Sequence, residues 1–291
     1  MTIFEKELMA AMGSYEHELS TLRKDIFLTA YRGGMAHLAS AFSCVEIIYA
    51  LYCRNAMRHD PARPDWAERD RFILSKGHGS LALYTVLYKA GYFTKDILAS
   101  FCTPDTALGG EPSLCVPLGI EASTGSLGHG LSLGVGMALA FKADGTSQRV
   151  FVLLGDGECE EGSVWEAVMS AAKYKLDNLT VIIDNNRIQK MDTLENVMSI
   201  SDWQQRFEAF GWACARTDGH DVDSLVTALA AQTGGGRPHV LIADTVKGKG
   251  LSLMENNPAW HWRMPNKREL KVFMKELDIT EEELAQCKEH I

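Results

Sequence analysis

Apolar runs and apolar stripes alternate along this chain. Residues 150–154 (Val-Phe-Val-Leu-Leu) and 179–183 (Leu-Thr-Val-Ile-Ile) are short runs bounded by polar or small residues. That is the pattern of strands buried on both faces of a parallel sheet. Residues 71–75, 212–217 and 239–246 read the same way. Between the runs, apolar positions recur at helical spacing. Leu8, Met12, Leu19, Leu22 and Ile26 predict two helices, or one interrupted at Gly13, over residues 5–31. Ser43-x-x-Glu46 and Ser163-x-x-Glu166 have the form of capping boxes and predict helices over 47–52 and from 163 to about 174. Further helices are expected over 81–90, 134–141 and 224–231, after Ser201-x-x-Gln204, and in the tail behind Thr280-x-x-Glu283. Residues 32–37 and 60–64 are turn-prone. Residues 102–130, rich in Gly, Pro, Ser and Thr, form a loop too long to be a plain connection.

Strand–helix alternation of this kind predicts an α/β fold with a mainly parallel sheet and helices on both faces. A single domain is expected over 1–291, with its core at about 20–266 and a helical tail at 267–291.

Composition is that of a globular chain, 46% hydrophobic and 23% charged. The net charge of -9 argues against a nucleic-acid or anionic-membrane surface as the main partner. Any phosphorylated ligand therefore needs a local device. Seven scattered cysteines with no C-x-x-C fit neither a zinc site nor a disulfide framework, so reduced thiols and a cytoplasmic location are expected. The acidic, helix-like N-terminus has no basic n-region or long apolar core, so neither a signal peptide nor a membrane span is expected.

Candidate chemistry gathers where two strand patterns end. Residues 150–154 run into Gly155-Asp156-Gly157, and residues 179–183 run into Asp184-Asn185-Asn186. The two groups are separated by roughly 30 residues, the length of a βαβ unit, which sets strand ends side by side. Magnesium takes hard oxygen ligands, one or two of them carboxylates, with phosphates and water completing the shell. Asp156 offers a carboxylate, Asn186 an amide oxygen, and a backbone carbonyl just beyond a third donor. Gly155 and Gly157 let the backbone approach a phosphate. Alone, Gly-Asp-Gly is an ordinary turn; the Asn-Asn pair at strand-end register lifts it above that. A calcium loop starting at Asp156 is excluded because Glu161 stands at its sixth position and Ala167 at its twelfth. Gly128-His129-Gly130 follows no strand, and residues 246–250 lack P-loop spacing.

With these residues in place, the chain resembles the transketolases. GDGECEEGSVWEAVMSAAKYKLDNLTVIIDNN carries the likeness, joined in order by LSKGHGSLALY, GIEASTGSLGHGLSLGVGMALA and DTVKGKGLSLMENNPAWH, over about residues 20–266. The resemblance implies a thiamine-diphosphate-binding fold. It implies that Asp156, Asn186 and the Ile188 carbonyl bind Mg2+ (or Ca2+ or Mn2+). By the same likeness, His78 and His261 contact the diphosphate or the substrate side of the cofactor, and His37 is a further substrate-side histidine. Gly125, Ser126 and Leu127 line the aminopyrimidine, Gly157 offers its backbone to the diphosphate, and Glu161 lies near a subunit interface that links cofactor sites. His17, His59, His239 and His290 read as surface or structural residues. Two departures stand out. Glu111 occupies the place of a family histidine that contacts the donor, and His129 that of a usual glutamine.

The likeness covers the first of the family's three domains. It implies the N-terminal section of a split, two-chain transketolase, partnered by a C-terminal subunit that carries the pyrimidine-binding domain and its activating glutamate, in an α2β2 heterotetramer. The implied reaction moves a two-carbon ketol unit from a ketose phosphate to an aldose phosphate. The alternatives are the α-chain of another thiamine enzyme (2-oxoacid dehydrogenase or deoxyxylulose-phosphate synthase type) and a non-catalytic cofactor-binding module.

Overall fold

The computed structural model describes residues 3–198, 202–231 and 235–287, with side chains from Tyr15 onward. Its centre is a five-stranded, wholly parallel sheet in the order β1-β2-β3-β5-β4. The strands are β1 (Arg71–Leu74), β2 (Val150–Gly155), β3 (Leu179–Asn185), β4 (Ala213–Asp218) and β5 (His239–Asp244). The helices, in chain order, are α1 (Ile3–Gly33), α2 (Leu38–Cys53), α3 (Ser80–Ala90), α4 (Lys95–Ala99), α5 (Gly130–Ala143) and α6 (Gly162–Lys173). They continue with α7 (Leu194–Val197), α8 (Trp203–Ala209), α9 (Val222–Ala231), α10 (Lys267–Glu276) and α11 (Glu281–Gln286).

Every residue of β2 and β3 is buried, which is why both read as unbroken apolar runs. The period-2 alternation of side chains splits the core in two. Phe72, Leu74, Phe151, Leu153, Ile182 and Leu241 face α1, α2, α3, α9 and α10. Ile73, Val150, Val152, Leu154, Val181, Ile183, Val240 and Ile242 face α5, α6 and α8. The expected fold class, with helices on both faces, is the one observed.

Three details differ from the sequence reading. α1 is one continuous helix through Gly13. Ser43 and Glu46 cap nothing: α2 begins at Leu38, and both residues lie buried inside it, where Ser43 bonds Asp184 and Glu46 pairs with Arg23. Ser163 likewise lies inside α6, whose N-cap is Glu161; its hydroxyl donates to the Gly128 carbonyl at 3.0 Å. In both cases a buried polar partner from another segment outcompeted local capping. The box at Thr280 and Glu283 does form, and Asn266 with Glu269 makes another at the head of α10. α4 had no strong signal in the sequence. Ser201 and His290 lie outside the described residues, as do the side chains of Leu8 and Met12; Asp202 caps α8.

The C-terminal helices join the core. Phe273 of α10 is fully buried, edge-on to Phe27 at 5.7 Å and 4.9 Å from Trp260. Register levels the carboxyl ends of the strands: Gly155 pairs with Asp184 and Asn185 with Asp244. Polar side chains just past those ends therefore meet along one edge of the sheet. This is where ligands bind in open α/β sheets. Among the described residues no helix is long and apolar enough to cross a membrane.

Candidate functional site at the carboxyl edge of the sheet

The edge is built around a fully buried carboxylate. Asp184, at the end of β3, takes an ion pair from Lys76, just beyond β1, and hydrogen bonds from Ser43 Oγ (2.6 Å), Thr245 Oγ1 and Asn186 Nδ2 (3.2 Å). Lys76 also donates to the Ser40 carbonyl at 3.2 Å. Burial opposes both charges, yet each holds the other: Asp184 lies below the usual carboxylate range and Lys76 above the usual amine range. The added hydrogen bonds offset the cost of burying the pair, whereas either partner left alone would be an uncompensated buried charge. The bond to Asn186 orients that amide so that Oδ1 is its acceptor face.

Asp156, the next residue beyond β2, is nearly as buried but makes no ion pair among the described residues; the Lys247 charge acts on it only at longer range. Its carboxylate accepts only from backbone N–H groups, Gly157 at 2.7 Å and Arg187. Burial, reinforced by Asp184, pushes its pKa up to about 7. Asn186 Oδ1 accepts from Ile188 N–H at 3.1 Å, and the Ile188 carbonyl accepts from the Lys247 ammonium at 2.8 Å. A hard cation fits this donor set: one under-compensated carboxylate, one amide oxygen, one backbone carbonyl, with phosphate oxygens to complete the shell. Among the described residues there is no group of three His, Cys, Asp or Glu with metal-site spacing. The set here needs only one acidic side chain, so that is no objection to it.

Lys247 connects this set to the histidines. Its ammonium reaches His261 Nδ1 at 3.2 Å, which leaves Nε2 as the protonated nitrogen of a neutral His261 ring. Burial, with Lys76 nearby, lowers the Lys247 pKa to about 8. His37, His78 and His261, 41 to 224 residues apart in sequence, form a triangle. Ring centroids lie 5.5 Å (37–78), 5.1 Å (37–261) and 5.8 Å (78–261) apart. Burial and the lysines keep all three neutral: His37 falls to about 4, His261 to about 3, and His78 well below its ordinary value. Neutral imidazoles each offer one donor and one acceptor. The Lys76 charge is taken up by Asp184, so Lys247 is the ammonium of this corner that no ion pair among the described residues neutralises.

The long loop lies against the same corner. Gly125, with φ +133°, touches Gly77 so closely that a Cβ on Gly77 would stand 2.8 Å from the Gly125 nitrogen. Thr124 Oγ1 donates to the Leu74 carbonyl at 2.8 Å. Gly125 and its neighbours Ser126 and Leu127 are thereby set beside His78. Glu111 reaches the same place: its Oε2 would lie 1.8 Å from a Cβ on Gly125, a residue whose lack of a side chain makes room for the carboxylate. The Gly157 N–H is engaged by Asp156, and the Gln189 side chain covers the glycine. Glu161 is exposed at the head of α6 and packs on Gly128.

Glu158 was not singled out in the sequence. Buried to 2%, it accepts from Ser75 Oγ and from the Gly128 (3.0 Å) and Gly155 (3.0 Å) N–H groups, tying the ends of β1 and β2 to the long loop. Lys76, Asp184 and Lys247 were also missed. Each lies within a quoted motif, but their pairing spans up to 108 residues and leaves no local pattern.

Oxygen donors, buried ammonium groups and neutral imidazoles at the carboxyl edge of a parallel sheet are a donor set that fits a phosphorylated ligand together with a hard cation. Comparison with known proteins narrows that class. Residues 19–287 match the family model described as transketolase, thiamine diphosphate binding domain. The chain belongs to the transketolase family. It is 40% identical over 263 residues to an apulose-4-phosphate transketolase subunit of Phocaeicola vulgatus, covering 90% of this chain and 93% of that one. It is 37% identical over 247 residues to 6-deoxy-6-sulfo-D-fructose transketolase subunit SqwG of a Clostridium species, covering 84% and 90%. The transketolase structure from Campylobacter jejuni superposes with a TM-score of 0.80 at 26% identity, covering 92% of this chain and 45% of that one. The chain thus spans less than half of that solved transketolase, and about nine tenths of the two subunits.

Proposed function

We propose that this chain is the thiamine-diphosphate-binding, N-terminal subunit of a two-chain transketolase. It would move a two-carbon ketol unit from a ketose phosphate to an aldose phosphate together with a C-terminal subunit. The observation that carries the reading is the placement of the His37–His78–His261 triangle beside the Asp156–Asn186–Ile188 oxygen set, bridged by Lys247, in a transketolase-family fold. The naming of similar full-length relatives as subunits supports a partner chain; an α2β2 heterotetramer in the cytoplasm is part of the proposal.

Thiamine diphosphate, when bound, supplies the electron sink that makes carbon–carbon bond cleavage possible. This chain's residues do the rest of what is local. Asp156, Asn186 and the Ile188 carbonyl would hold Mg2+ (or Ca2+ or Mn2+) against the diphosphate, and Lys247 would favour its negative charge. Gly125, Ser126 and Leu127 would flank the aminopyrimidine. The Nε2–H of His261 can donate to a sugar oxygen. Neutral His37 and His78 can each donate to one hydroxyl and accept from another, so a proton can leave a substrate hydroxyl and return without a net charge entering the cleft.

The test is ketol transfer by the chain co-purified with its complementary subunit, across a panel of ketose phosphates that includes D-xylulose 5-phosphate, D-fructose 6-phosphate and D-sedoheptulose 7-phosphate. Cofactor- and metal-dependent transfer from at least one donor is expected. Decarboxylation of pyruvate without ketol transfer would move the chain to the 2-oxoacid or deoxyxylulose-phosphate type. Cofactor binding with neither reaction would make it a non-catalytic module.

A further inference from the structure

Trp262 leaves 47% of its surface open, while Trp260, two residues earlier, is 1% exposed. That exposure does not come from a loose loop. Trp260 is packed into the core against Phe273, and the Arg263 guanidinium lies 3.5 Å over the Trp260 ring. Arg263 is itself fixed by two bonds to Glu269, at 2.8 and 2.9 Å, and Glu269 closes the capping box of α10. The turn is thus clamped on both sides of Trp262. Between the clamps, the indole centroid stands 4.2 Å from that of the His37 ring, and with Met35 (41% exposed) it lines a small pocket of about 10 Å³ beside His37 and His78, the head of the cleft.

An open indole gains little for the fold, and rigid aromatic faces beside a few convergent polar groups are how binding clefts are lined. The cleft offers imidazole donors and acceptors on one wall and a flat apolar face on another. A molecule that matches both has hydroxyl groups along one side and C–H groups along the other, which is the carbon chain of a sugar. We infer that Trp262 contacts the substrate and sets specificity: its ring packs on the C–H face of the ketose whose hydroxyls meet the histidines. This rests on the transketolase reading above.

The experiment uses the two-subunit complex with thiamine diphosphate and Mg2+, and D-xylulose 5-phosphate and D-fructose 6-phosphate as probes. With Trp262→Ala, KM for the donor is expected to rise about tenfold while kcat stays within about twofold, and Trp262→Phe is expected to stay within about threefold of wild type in both. Affinity for the partner chain, measured by sedimentation, should not change. An unchanged KM, or a rise that merely follows weaker binding between the two chains, overturns the inference. A second readout needs no turnover: in 5-fluorotryptophan-labelled complex, the 19F resonance assigned by Trp262→Phe should shift on sugar titration. A shift without ketol transfer keeps Trp262 as a sugar contact and overturns the transketolase reading. Transfer without a shift keeps the transketolase reading and overturns the role of Trp262. Neither shift nor transfer overturns both.

Discussion

Asp156 and Asp184 stand just past and at the ends of neighbouring strands, both buried and both carboxylates, and their surroundings differ completely. Asp184 is matched by an ammonium, two hydroxyls and an amide, all supplied by this chain. Asp156 has two backbone N–H groups and no ion pair among the described residues, and its carboxyl is pushed up to about 7. The chain completes one carboxylate and leaves the other to be completed by a ligand. The contrast separates a carboxylate satisfied within the fold from one that the proposed function assigns to binding, although composition and burial alone would class them together.

The largest expected effect on stability falls on the completed carboxylate. Asp184→Ala strands Lys76 as an unpaired buried charge and should destabilise the chain by about 3–5 kcal/mol, measured by denaturant unfolding. A loss below about 1 kcal/mol would mean that the pair contributes nothing net, in line with the replaceability of some buried ion pairs.

A smaller effect is expected from the histidines beside the two carboxylates. His37 and His261 stay neutral in the fold down to about 4 and about 3, held there first by burial and then by Lys247. In the unfolded chain they take up protons near 6.5. Between those values the unfolded state binds more protons, so these residues make stability fall as the pH falls through that window. Comparing wild type with His37→Asn/His261→Asn cancels the contribution of other groups. The difference in stability between the two proteins should shift with pH between 6.5 and 4, with wild type losing more. A difference that stays flat would show that the rings titrate normally in the fold.

Much of this arrangement was legible in the sequence, and what was not has a common cause. The strands at 150–154 and 179–183 declared themselves because burial on both faces leaves mostly apolar residues. Asp156 and Asn186 followed from strand-end register, and the histidines from likeness to a family. Ser43, Glu46 and Ser163 were misread because their spacing mimics a local cap, while their partners Asp184, Arg23 and Gly128 come from other segments. Glu158 and Lys76 escaped for the same reason: a buried charge is recognised by what surrounds it, and those neighbours are distant in sequence. Gly157 illustrates the converse, since its motif points to a ligand while its N–H is occupied by Asp156.

The most direct test of the contrast is Asp156→Ala in the two-subunit complex, followed by calorimetric titration of thiamine diphosphate with and without Mg2+ alongside the thermal midpoint of the isolated chain. Loss of the metal-dependent part of cofactor binding is expected, with a stability change well below that of Asp184→Ala, because no ion pair among the described residues is broken. Unchanged metal-dependent binding, or unfolding on the scale of Asp184→Ala, would contradict the division of roles between the two carboxylates.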